Sequence, residues 1–138
     1  MIYSHILVAT AFSEKCQNTL EHAKQMTTLH QAKLSIVHFV EPLPASAFVY
    51  AGAIELDKKR NKAAQDKLDE LGEFFNIPPQ DRYISEASPK AGIVKLAKKL
   101  KVDLIILSNH GHSAALHFLE STAETVAHHA PCDMLIIK

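Results

Sequence analysis

Between Ser108 and Thr122 the chain reads SNHGHSAALHFLEST, directly after the apolar run LIIL. A polar loop leaving a buried strand for a helix is where α/β proteins often hold a phosphate, through backbone amides and the positive end of the helix. Ser108, Gly111, Ser121 and Thr122 are small or hydroxyl-bearing residues suited to an anion, and His110, His112 and His117 share the stretch. Against this, Gly111 is its single glycine and Glu120 adds a carboxylate. Ser108, His110 and Asp103 are the residue types of a nucleophilic triad. Asp103 would open the strand that ends near Ser108, so acid and nucleophile fall at opposite ends, and no G-x-S-x-G elbow exists to expose a nucleophile. His110-x-His112 and His128-His129 are the close histidine pairs, whereas a structural zinc site takes about four ligands. No metal is expected. Cys16 and Cys132 read as small packed residues rather than a disulfide pair, although Cys16 falls in a helix first turn, where thiols can be reactive.

Fifteen basic and fifteen acidic residues cancel over 138 positions. No basic field is available for nucleic acid, and Lys58-Lys59-Arg60 reads as a solvated helix face. The first residues, MIYSHILVAT, lack a basic start and read as a strand rather than a signal peptide. No apolar run approaches the ~20 residues a membrane helix needs. The expected compartment is the cytoplasm.

The elements that must position the loop follow from apolar patterning. HILVAT (residues 5–10) is a buried strand, and Ser13 caps a helix running from Glu14 to about His30, with Leu20, Ala23, Met26 and Leu29 inward. KLSIVHFV (33–40) is a second strand. The loop EPLPASAFVYAGA precedes a helix over about 54–75, whose inner stripe is Ala64, Leu68, Leu71 and Phe75. RYISEA (82–87) is a short third strand. Ser88-Pro89 opens a helix with Ile93, Leu96, Ala97 and Leu100 inward. DLIIL (103–107) is a fourth strand, apolar on both faces. Ser121-x-x-Glu124 resembles a capping box that starts the last helix, which Pro131 stops before DMLII (133–137). Alternating strands and helices predict a parallel sheet with helices on both faces and a ligand crevice at the carboxyl ends of the strands where their order reverses.

HILVATAFSE, AKLSIVHFVE, SPKAGIVKLAKKLKVDLIILSNHGH and STAETVAHHAPCDMLII, in this order, together resemble a single-domain universal stress protein over nearly the whole chain. The resemblance implies a Rossmann-like α/β domain spanning residues 1–138, with a five-stranded parallel sheet in the order 3-2-1-4-5. It also implies a homodimer. Many members bind ATP or AMP, using an aspartate after strand one and a glycine motif before the last helix. Mapped onto that pattern, Ala11 replaces the aspartate and Ser108 the first glycine. Gly111 is kept, and the third glycine falls on Glu120 before a retained Ser121, or on Ser121-Thr122 in the other registration. The candidate degenerate nucleotide or anion site is therefore Thr10, Ala11, Val40, Ser108, Gly111, Ser121 and Thr122. A like charge at ~4 Å costs roughly 4 kcal/mol near a surface. A lost bond to a charged group costs about 1.5–3 kcal/mol, so even partly relieved these terms amount to a factor of ~1000 in affinity. The branch resembling universal stress protein A itself also lacks the glycine motif and is not regarded as ATP-binding.

The expected protein is a non-catalytic cytoplasmic homodimer in stress response or survival, with no required cofactor, weak or no ATP binding, and protein partners that the sequence leaves unidentified. The alternative is an ATP- or AMP-binding switch or slow ATPase. Strand five is an apolar edge that something must cover. Pairing with a second copy through Met134, Leu135, Ile136 and Ile137, aided by Val126 and Ala130, does so. The apolar loop over residues 42–53 is a second candidate contact surface.

Overall fold

The computed structural model describes residues 2–108 and 114–138, with residues 114–121 described in backbone only. Gly111, His110 and His112 lie outside the described residues.

The chain alternates β1 (His5–Ala9), α1 (Glu14–His30), β2 (Lys33–Phe39), α2 (Ala53–Phe74), β3 (Arg82–Ser85), α3 (Pro89–Leu100), β4 (Leu104–Ser108), α4 (Ala114–His129) and β5 (Asp133–Ile137), with short 3-10 turns at Ala45–Val49 and Pro79–Asp81. The five strands form one sheet in the order β3-β2-β1-β4-β5, all pairs parallel. Order reverses between β1 and β4, where Ile6 lies opposite Leu104 and Val8 opposite Ile106.

Two cores follow from the strand alternation. Ile6 and Val8 of β1 and Leu104 and Ile106 of β4 pack with Leu20 and Ala23 of α1 and Leu68, Leu71 and Phe75 at α2. Leu7, Ala9, Ile105 and Leu107 point the other way, against Ile93 and Ala97 of α3 and Val126 of α4. The stripe expected on α2 is buried as a unit. Among the described residues no helix is long and apolar enough to cross a membrane.

Three expectations need correction. Leu29 is exposed, and α1 instead buries Cys16, Thr19, Leu20, Ala23 and Thr27. Leu20 and Ala23 are inward as expected and Met26 packs against the same core; Leu29 lies off the stripe, which Thr27 completes once threonines are counted as packable. α4 begins at Ala114, so Ser121-x-x-Glu124 lies inside the helix and does not start it. The preceding alanines and leucines favour helix, and a serine three residues before a glutamate recurs by chance within helices. Pro89 does open α3, but Ser88 occupies the cap without a side-chain cap hydrogen bond.

Candidate functional site

The carboxyl ends of β1 and β4 meet α1 through its first two turns. Ser13 caps α1, its hydroxyl accepting from Cys16 N at 3.2 Å. That cap places Cys16 and Thr19, one turn apart, against the end of the sheet. Ala11 N donates to Cys16 Sγ at 3.3 Å. Thr19 Oγ1 donates to Lys15 O at 3.0 Å. It also pairs with Ser108 Oγ. Ser108 Oγ lies 3.9 Å from Cys16 Sγ as well. Ser108, Thr19 and Cys16 are all buried. The crevice where order reverses is thus floored by hydroxyl and thiol groups already bonded to one another.

A second feature adjoins it. Thr10 N donates to Val37 O at 2.9 Å, and Thr10 O accepts from His38 Nδ1 at 2.7 Å. A carbonyl only accepts, so Nδ1 carries the proton. Burial, its largest cause, holds the His38 imidazole below its ordinary range despite that bond. At neutral pH Nε2 is therefore a bare acceptor. The His38 ring lies against Phe12 with centroids 4.1 Å apart. Phe12 adopts φ 62°, a left-handed conformation that bulky residues rarely take. Phe12, His38 and Val40 line a cleft of about 350 Å³ rimmed by Arg60 and Lys67. Arg60 is tethered, Nη2 donating to Glu41 O at 2.9 Å.

Of the residues expected to form the site, Thr10, Ala11 and Ser108 gather at the switch point. Val40 stands at the end of β2, its N–H donating to Ser85 O at 2.8 Å. Thr122 is buried on α4, well inside the helix rather than at its start, and Ser121 precedes it there. Asp103 is at the far end of the β4 segment from Ser108, accepting from Ser4 N, Ser4 Oγ and His5 N at 2.8, 2.9 and 3.0 Å, so it ties β1 to β4 at the opposite end of the strand. Sequence reading missed Thr19, Phe12 and His38 as site residues and weighed Cys16 only as a thiol in a helix first turn. The available signal was Thr19 on the inner stripe of α1, since a hydroxyl in a core needs a partner.

The profile of the Universal stress protein family matches residues 2–138. The chain belongs to that family. Two relatives from Coxiella burnetii, Universal stress protein A homologs 1 and 2, are 29% and 30% identical, each over 99% of this chain and 97% and 95% of their own. The solved universal stress protein UspA from Lactobacillus plantarum is 26% identical with a TM-score of 0.80, covering 99% of this chain and 98% of that one. In this universal stress protein the switch-point crevice carries Ala11 and Ser108, and Ser108 is bonded into the fold itself.

Proposed function

We propose that this universal stress protein works without catalysis, as a cytoplasmic homodimer that serves stress response and survival through protein partners, and that it binds ATP weakly or not at all. The observation that supports this is the Ser108–Thr19–Cys16 cluster, which takes up the polar groups at the crevice. Ala11 offers no carboxylate beside it. A phosphate entering here would have to part bonded, buried groups, at about 1–3 kcal/mol for each one left unsatisfied, or roughly 5- to 150-fold in affinity. Catalysis lacks support on the same grounds: among the described residues the Ser108 hydroxyl bonds to no base, and the His38 Nδ1 proton is engaged by Thr10.

The decisive experiment is to denature purified protein, read the supernatant for adenine absorbance, and titrate native protein with ATP and AMP by calorimetry with magnesium present. The expected result is no adenine and no low-micromolar binding. Co-purified adenine, or low-micromolar heat, would overturn the proposal and favour the second reading, a nucleotide-binding switch or slow ATPase. The cleft beside Val40, rimmed by Arg60 and Lys67, is the feature that supports that second reading.

A further inference from the structure

The face of the sheet opposite α1 and α2 carries a groove that the nucleotide question does not touch. It lies between α3 and α4, encloses about 480 Å³, and sets Lys90, Lys95, Lys98 and His129 around Ala91 and Val94. α3 contains four lysines and no acidic residue. Among the described side chains of α4 the one carboxylate is Glu124, which does not line the groove. The charge is therefore local, in a chain whose total is zero.

The groove is held in shape from below. Ile93 and Ala97 are fully buried beneath it. At Gly92 the helix comes so close to the sheet that any side chain would collide with Phe39. Its lysines thus stand on a helix packed closely onto the sheet, and among the described groove-lining residues no carboxylate neutralises them.

We propose that this groove docks an acidic segment of a partner protein, one that carries carboxylates on both sides of an aliphatic side chain. The inference rests on the non-catalytic, partner-mediated reading above and gives that reading a surface. Charge complementarity selects the carboxylates, and the Val94–Ala91 floor selects the aliphatic group. Lys90 and Lys98 lie two turns apart, about 12 Å along the helix, a span that about four residues of extended chain cover. Nucleic acid fits less well, because among the described residues the groove offers only the His129 imidazole to stack a base. A membrane surface fits less well too, because the basic residues line a concavity rather than a convex face.

The test uses the full chain and a fluorescein-labelled ten-residue peptide with a glutamate pair on each side of one leucine. Anisotropy at low salt is expected to rise and saturate, and to weaken as salt screens the contact. Lys95→Glu with Lys98→Glu is expected to weaken binding about tenfold or more, since attraction becomes repulsion at two exposed positions. Lys58→Glu with Lys59→Glu, on the exposed face of α2, is expected to leave it unchanged. Replacing the peptide's leucine by glycine is expected to weaken it as well. The proposal is overturned if no saturable binding occurs, if the two double variants behave alike, or if a ten-nucleotide uridine RNA or phosphatidylserine vesicles displace the peptide at equal concentration of charge. The ATP titration stands apart: nucleotide binding there removes the non-catalytic reading, whereas a silent peptide beside a silent ATP titration removes the groove alone.

Discussion

A hydroxyl on the inner side of α1 has to find a partner, and Thr19 finds Ser108. Substituting Thr19→Val keeps the shape and removes that partner, so the variant is expected to lose about 1–3 kcal/mol of unfolding free energy, read from urea denaturation. A loss below about 0.5 kcal/mol, the scatter of neutral surface changes, would show that the pair contributes nothing. His38 carries a pH dependence whose sign follows from its burial. Its folded imidazole titrates below the ordinary value, with burial the first cause, and His5 shifts the same way for the same first reason. The unfolded chain therefore takes up protons before the folded one as pH falls. The stability contribution is complete above about 6.5 and is lost as pH drops through the folded value. The midpoint of urea unfolding should fall between about pH 7 and about pH 5, and less steeply in His38→Asn, whose amide can still donate to Thr10 O. An unchanged slope in that variant would assign the effect elsewhere.

At the scale of elements, α2 and β3 are joined by one buried guanidinium. Arg82 crosses α2 at Gly72, Nε donating to Ile77 O at 2.9 Å and the fork reaching Asp69 and Glu73 at 3.3 and 3.0 Å. A methyl group at Gly72 would occupy the space of that guanidinium. Gly72→Ala gains about 1 kcal/mol of helix propensity but overpacks the crossing at a cost of about 1–3 kcal/mol and displaces the Arg82 bonds. We expect a net loss of about 1–2 kcal/mol in urea unfolding; a gain in stability would mean that Arg82 moves aside freely. The same scale shows where patterning suffices. Ala64, Leu68, Leu71 and Phe75 are apolar, evenly spaced and buried as their spacing implies. On α1 the end of the stripe was misjudged at Leu29, because the inner face also takes Thr19 and Thr27 beside Leu20 and Ala23, and a threonine buries when its hydroxyl is bonded. The start of α4 was misplaced because a capping box is a local signal, and a helix-favouring run ahead of Ser121 overrides it.

For the whole molecule the open question is the sheet's far edge. β5 pairs with β4 on one side and lies at the end of the strand order. The proposed homodimer would cover it. Leu135 and Ile137 pack into the core beneath α1 and α2, and Met134 into the opposite one, whereas Ile136 is 39% exposed. Ile136→Lys is therefore the clean test: light scattering should fall from twice the protomer mass to one protomer with the thermal midpoint of the protomer retained. A dimer that survives this change would place the contact elsewhere. The sequence by itself determined the order of elements and the doubly wound class, because alternating apolar runs and helical stripes are local signals that need no partner. It also marked Thr10, Ala11 and Ser108 as the ends of strands one and four. The tertiary structure decided what those ends do. The Ser108–Thr19 contact joins residues 89 apart in the chain, and it exists only because the register of β1 against β4 and the phase of α1 above them bring two hydroxyls into one buried space, a geometry no local pattern encodes.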